Sequence, residues 1–291
     1  MLQTRFSVRE DVPVLRHLWQ TVFGDTDEYI DNFFQTCYTP ERGIVTEEDG
    51  EIRSMVLWFD MPLVIPGNEP VHAPYLYALA TDPNHRGKGI AGKMLADADE
   101  LLRGLGYSLV TTVPAEPTLH LFFGTNGFHE CFVHAEYPMT PAPAPYELPG
   151  VSLEKVTPGE YTRVREELLA DTPRIIYDAD TMAYQQGACD LSGGCLYVGK
   201  TPAGPVCLCV ERTNDNRMMA KELLGGHDAR MFITSRMAKL APNLMWLVRC
   251  PVKYAPPGAQ VKKFGMLKWL DPGIRDNWDY ESTAYMGLAF D

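Results

Sequence analysis

A run with three glycines in six residues, leading directly into an amphipathic helical pattern, restricts this chain more than any other feature of its sequence. In "DPNHRGKGIAGKML", Asp82 to Leu95, the glycines are Gly87, Gly89 and Gly92. Ile90, Met94, Leu95, Ala98, Leu101 and Leu102 then recur at helical spacing, and Gly104 or Gly106 is placed to end the helix. A strand-like "HAPYLYALAT" leads in, and "YSLVTTV", rich in β-branched residues, follows. A helix N-terminus opened by glycines binds phosphate, because its free N–H groups and its dipole point outward. The strand, glycine loop, helix and strand therefore predict an α/β unit with an anion held at the loop.

Three phosphate-loop patterns overlap here. Gly87, Gly89 and Gly92 spell G-x-G-x-x-G, the dinucleotide fingerprint. Gly87 to Lys93 spell G-x-x-x-x-G-K, a P-loop without its final hydroxyl. Arg86, Gly89 and Ala91 spell R-x-x-G-x-A, an acyl-CoA pyrophosphate loop. Chemistry argues against the P-loop: Met94 stands where a Ser or Thr should hold Mg²⁺, and no apolar strand ending in Asp supplies the second magnesium position. Geometry argues against the dinucleotide loop. Its first glycine belongs in a tight turn directly after the strand, yet "DPNHR" separates Thr81 from Gly87, and a hairpin precedes the strand. Only Glu116, roughly where a ribose-binding acid would fall, favours it.

Context favours the third pattern. "LATDPNHRGKGIAGKMLADADELLRGLGYSLV" strongly resembles motif A of the GNAT superfamily of N-acetyltransferases: strand, Asp-Pro-x-x-Arg-Gly-x-Gly-x-Gly/Ala, amphipathic helix, strand. "LFFGTNGFHEC" resembles motif B, a short helix ending in Gly-Phe, here Gly127 and Phe128. The resemblance covers about Met1 to Met139. It implies an acetyl-CoA-dependent enzyme in which a neutral primary amine attacks the thioester directly within a ternary complex. Arg86, Gly87, Lys88, Gly89, Ile90, Ala91 and Gly92 would hold the pyrophosphate. Gly87 and Gly89 let the backbone approach it, where a Cβ would collide or strain φ. Leu79, Ala80 and Thr81 would lie along the pantetheine arm, Asn126 would touch the cofactor, and the thioester would sit in a gap between "YLYALAT" and "YSLVTTV". No metal is implied.

The superfamily often places a tyrosine, as the acid for the leaving thiolate, four residues before the motif-B glycine. Here that residue is Phe123, which cannot donate a proton. Another residue donates, water donates, or the chain is a weak or inactive enzyme. Tyr77 is the first candidate for a polar site residue, because Tyr75, Tyr77 and Leu79 share one face of an alternating strand. His120 is a candidate base because imidazole is the side chain most often used to take up a proton, and Glu116 is an alternative base. Cys131 reads as core, since this chemistry needs no covalent nucleophile. A non-catalytic acyl-CoA-binding or sensing protein is the competing function.

At 291 residues the chain exceeds what one hydrophobic core usually serves. "YPMTPAPAPYELPG", Tyr137 to Gly150, carries five prolines and reads as an extended linker. The expected organisation is a GNAT domain over residues 1–140, a linker over 141–150 and a second domain over 151–291. In the first part, Ser7 with Glu10 forms a capping box for a helix from about Val8. A helix over Asp27 to about Cys37 and a hairpin turning at Glu48 to Gly50 follow. The second part has no R-x-x-G-x-G/A, but its element order echoes the first, finishing with strands in "FGMLKWLD" and "AYMGLAF". The predicted fold class is therefore α/β (α+β), with two GNAT-like mixed β-sheets and their flanking helices in tandem, the second having lost its cofactor loop. Tandem arrangements occur in bacterial GNAT families similar to the enhanced-intracellular-survival (Eis) acetyltransferases. That resemblance implies that the terminal carboxylate of Asp291 could serve as a base in the first domain.

Composition limits the partners. Hydrophobic residues make up 45% of the chain and charged residues 22%, ordinary for a globular protein. A net charge of −12 makes a poor general binder of nucleic acid or anionic membrane and mildly favours cationic partners. A polyamine, an aminoglycoside-like cation, or a peptide or protein amine would each suit as acceptor, and the oligomeric state stays open. Seven scattered cysteines without a C-x-x-C pair read as buried thiols. No apolar run reaches membrane-spanning length and "MLQTRFSVRED" lacks a signal-peptide core, so the cytosol is the expected compartment.

Overall fold

A computed structural model describes residues 1–213, 215, 217–275 and 284–290. In chain order the principal elements are β1 (Leu2–Phe6), α1 (Val12–Phe23), α2 (Asp27–Thr36), β2 (Gly43–Glu48), β3 (Glu51–Val64), β4 (Val71–Thr81), α3 (Ile90–Gly104), β5 (Leu109–Thr112), α4 (Pro117–Thr125) and β6 (His129–Met139). Then come β7 (Ser152–Lys155), α5 (Pro158–Leu168), β8 (Arg174–Ile175), α6 (Ala179–Ser192), β9 (Cys195–Thr201), β10 (Gly204–Arg212), β11 (Met218–Leu224), α7 (His227–Leu240), β12 (Trp246–Cys250), β13 (Gln260–Trp269) and α8 (Pro272–Arg275). The chain divides into two compact units, neither of them one continuous run. The first holds Met1–Leu63, Pro70–Cys131 and a segment starting at Gly265; the second holds Val64–Glu69, Phe132–Phe264 and the C-terminal run.

In the first unit, β1, β2, β3 and β4 form an antiparallel run, β5 joins β4 in parallel, and the end of β13 pairs antiparallel with β5. The β2–β3 turn uses Asp49 at φ 54° and Gly50 at φ 83°, the paired left-handed residues of a tight hairpin turn. α3 buries Met94, Leu95, Ala98 and Leu102 against Val56, Trp58, Leu76 and Val110 of the sheet, and Ile90 is buried at its start. Its period matches the one read from the sequence.

Three local features differ from the sequence reading. Ser7 does not cap α1. Its hydroxyl donates to Pro40 O at 2.8 Å and lies 3.0 Å from Tyr38 Oη, while Asp11 accepts the Val8 N–H at 2.8 Å. The helix consequently starts at Val12, after a single 3₁₀ turn. The strand β1 was not foreseen, because "LQTRF" shows no clean alternation. "FGMLKWLD" is a strand, but its Met266–Trp269 part pairs with Thr112–Leu109 inside the first unit. It covers an edge of the four-residue β5 that would otherwise be left open.

In the second unit, the end of β6, then β12, β11, β10, β9 and β7, lie side by side, with β11 and β12 parallel and the rest antiparallel. α7 packs on this sheet through Ala229, Ile233 and Met237. "AYMGLAF" is not a strand: Ala284 and Tyr285 make single bridges to Phe132 and Arg174, and Gly287, Ala289 and Phe290 take left-handed backbone. Arg165 holds this segment. Fully buried, it pairs with buried Glu222 at 3.1 Å and donates to Ile175 O at 3.0 Å and Met286 O at 3.3 Å. α6 was not read from the sequence; its apolar pattern is broken by buried Thr181 and Gln185, of which Thr181 bonds to Asp178 and Gln185 donates from Nε2 to Glu211.

Candidate functional site

The glycine loop is built from its ends. Asp82 closes β4 and accepts hydrogen bonds from Asn84 N and His85 Nδ1, both at 2.9 Å, folding "PNH" into a 3₁₀ turn. The Asn84 N–H, with His85 adding to it, holds the Asp82 carboxyl below the usual carboxylate range. "DPNHR", which argued against a dinucleotide loop, is thus an ordered connection. Arg86 Nε donates to Thr81 O at 3.3 Å, tying the loop to the strand end. Gly87 and Gly89 sit at φ 76° and 77°, and a Cβ on either would meet nothing within 4 Å, so the space above the loop is open.

Gly89 caps α3 without any side-chain hydrogen bond. Lys93 N, donating to Gly89 O at 3.0 Å, is the first helical amide with a carbonyl partner. The amides of Ile90, Ala91 and Gly92 precede it and have no partner within the helix. Three amides, a dipole end and the exposed cations Arg86 and Lys88 form a donor surface suited to a pyrophosphate. Lys93 is taken up by Asp97 at 2.6 Å. A Cβ on Gly92 would lie 3.6 Å from Asn126 Oδ1, so α4 brings Asn126 beside the loop. The Asn126 Nδ2 donates to Phe122 O at 2.8 Å, which locks the side chain at the helix end.

β4 and β5 pair only at Tyr75–Thr111 and Leu76–Thr112; beyond these residues they share no ladder. Just past this point the β3–β4 register slips, with Leu57 opposite Tyr77 but Met55 opposite Ala80, and Ala78 takes φ 49°. This bulge corrects the expectation that Tyr77 and Leu79 share a face. Tyr77 packs on Trp19, Phe33 and Phe59, with its hydroxyl 3.1 Å from Tyr29 Oη. Leu79 packs with the α3 cluster on the other face. The extra residue inverts the alternation, and no residue pattern in "YLYALAT" announces it.

α4 carries the remaining candidates. His120 Nδ1 is 2.7 Å from Glu130 Oε1, while Glu130 Oε2 is buried with no hydrogen-bond partner. Spacing offered no signal for Glu130. Glu116 is the exposed N-cap of α4, with Thr118 Oγ1 at 3.5 Å. Phe123 is buried and packs on Phe122 and Phe128. Cys131 is buried, and burial together with the Glu130 charge pushes its thiol well above its ordinary value. Asp291 lies outside the described residues. A cavity of about 770 Å³ borders Pro83 and Asn84. Its arginines are paired with carboxylates: Arg5 with Asp11 at 2.7 Å and also with Glu47, and Arg53 with Glu51 and, at 3.7 Å, Asp82, although Arg53 Nε is buried without an acceptor.

Residues 3–126 match the family model described as an acetyltransferase (GNAT) domain. No curated protein matches the chain significantly. Among solved structures, it is similar to a GCN5-related N-acetyltransferase from Anabaena variabilis, at 14% identity over 93% of this chain and 73% of that one, with a TM-score of 0.71. It is similar to Eis1 from Mycobacterium abscessus, at 15% identity over 93% and 74%, with a TM-score of 0.68. A GCN5-related N-acetyltransferase from Sphaerobacter thermophilus is similar at 13% identity over 93% and 96%, with a TM-score of 0.53. At these identities the likeness is one of fold, the mixed α/β fold expected from the sequence.

Proposed function

Because residues 3–126 match the family model of a GNAT acetyltransferase domain, we propose that this protein transfers the acetyl group of acetyl-CoA to a primary amine by direct attack. The observation that carries this is the loop from Arg86 to Gly92, where two left-handed glycines open α3 and leave its first amides facing open space. The pyrophosphate lies on those amides with Arg86 and Lys88 beside it, and Asn126 closes the same side. The pantetheine arm follows Leu79, Ala80 and Thr81 to the point where β4 and β5 part.

The amine lone pair attacks the thioester carbon, the C–S bond breaks, and the CoA thiolate leaves. The nitrogen then sheds a proton. His120 is the favoured base, since the Glu130 carboxylate at 2.7 Å orients its ring and stabilises the imidazolium. Glu116, exposed at the helix start, lacks such an orienting partner among the described residues. Tyr77 and Tyr29 place a pair of hydroxyls on the α1–α2 side of β4, where they would line the path of the acceptor. Acceptors range from small polyamine-like or aminoglycoside-like cations to peptide amines, in keeping with the net charge of −12. The second unit is a GNAT-like fold without a cofactor loop. Its order of two helices, an antiparallel run, a helix and a parallel strand supports this.

Phe123 favours one other reading, a non-catalytic acyl-CoA-binding protein, because a core phenylalanine stands at the usual position of the acid. Calorimetric titration with acetyl-CoA, beside an Arg86→Ala, Gly89→Trp control, tests the shared premise. Binding to the wild type that is lost in the control supports it. Equal binding by both proteins, or none by either, refutes it.

A further inference from the structure

Among the buried cations of the described residues, Arg230 is the exception. Arg165 has Glu222, Arg174 has Glu166 at 2.7 Å and Lys221 has Glu211 at 3.7 Å. Arg230, only 8% exposed, has no carboxylate within ion-pair distance among the described residues. Its Nε is buried without an acceptor. Its Nη1 makes one long hydrogen bond, 3.5 Å to Tyr137 Oη, and the guanidinium lies 5.7 Å from the centre of the Tyr254 ring. Taking a guanidinium out of water costs several kcal/mol unless an anion or well-made hydrogen bonds offset it, and these contacts supply little of that.

Arg230 lines a groove of about 400 Å³ that lies wholly within the second unit. The groove runs between α7, the Tyr137–Met139 end of β6 and the Pro256–Ala259 turn. Its walls are otherwise largely apolar: Met139, Leu223, Met231, Pro256 and Pro257. An apolar cleft of this size with a few convergent polar groups is the usual form of a small-molecule site.

We propose that this groove binds the carboxylate of a small, mostly apolar organic acid, with Arg230 as its counter-ion. One planar guanidinium matches one carboxylate in charge and in bidentate geometry. A phosphate dianion would call for more donors than one buried cation and the imidazole of His227 at the start of α7. The apolar walls receive the body of the acid. The site lies in a different unit from the glycine loop and does not depend on the acetyl-transfer proposal.

The test is calorimetry on the full chain with octanoate, 1-octanol and inorganic phosphate. Octanoate should saturate a single site, with octanol at least tenfold weaker and phosphate weaker still. Arg230→Gln should weaken octanoate at least tenfold. Met231→Glu, at a position 61% exposed, should also weaken it by setting a like charge at the mouth of the groove. Both variants should treat acetyl-CoA as the wild type does. Unsaturable octanoate, octanol binding equally well, or phosphate binding more tightly each overturns the proposal. Undiminished octanoate affinity in Arg230→Gln, or in Met231→Glu should the first variant fail to fold, overturns it too.

Discussion

Gly89→Ala isolates the contribution of backbone conformation to cofactor binding. Gly89 sits at φ 77°, and an added Cβ meets nothing within 4 Å, so the substitution creates no clash inside the protein. What it adds is the strain of a left-handed residue, roughly 1–2 kcal/mol. In the free protein the loop can relax and shed that strain, but binding must restore the φ that aims the first amides of α3 at the pyrophosphate. The whole cost then falls on binding, and at about 1.4 kcal/mol per factor of ten the acetyl-CoA Kd should rise roughly 5–30-fold. Contact between the new methyl and the ligand would only raise that figure. Gly124→Ala is the control: Gly124 is an exposed residue of α4 with open space around its Cβ. It should gain about 0.4–1 kcal/mol in stability through the unfolded chain and leave Kd unchanged. Calorimetry with acetyl-CoA, beside thermal melts, reads both. If Gly89→Ala binds as tightly as the wild type, the left-handed loop is not what holds the phosphate.

Other consequences follow from the same geometry. His120→Ala should lower kcat by about 10²–10⁴-fold with little change in the acetyl-CoA KM, and Glu130→Gln should lower it less; steady-state kinetics that show no loss in either would remove the dyad. Glu222→Ala strands the buried Arg165 and should destabilise the second unit by about 3–5 kcal/mol in denaturant unfolding; a loss under 1 kcal/mol would contradict the network. All seven cysteines are buried, with burial pushing Cys250 up to about 11, so a thiol reagent at neutral pH should label the protein only after unfolding. Asp11 and Glu136 lie below their ordinary values. Burial raises each, but the Arg5 and Lys262 partners respectively outweigh it. Depressed carboxylates contribute stability above the unfolded pKa and lose it as pH falls through the folded one. Melting temperature should therefore drop on acidification below about pH 4, and a flat profile there would refute these pairings.

The loop was legible because its signals are local. Glycines, an Asp-Pro turn and a helical apolar period lie within one stretch, and each survives in the structure. Phe123 was likewise readable as a departure from position alone. Register and pairing were not readable. The Ala78 bulge turns Tyr77 and Leu79 to opposite faces although "YLYALAT" alternates cleanly, because a bulge is decided by the neighbouring strand. The His120–Glu130 and Tyr77–Tyr29 pairs join residues that no spacing rule connects. The end of β13 was readable as a strand but not as the partner of β5, since apolar periodicity names a face and not a neighbour.

Release of free CoA thiol from acetyl-CoA in the presence of a panel of amines tests the central claim most directly. The account predicts that at least one amine accelerates thiol release well above the amine-free rate, and that Arg86→Ala, Gly89→Trp abolishes the acceleration. Saturable acetyl-CoA binding with no amine able to raise thiol release would contradict acetyl transfer and leave a protein that binds the acyl carrier without reacting it.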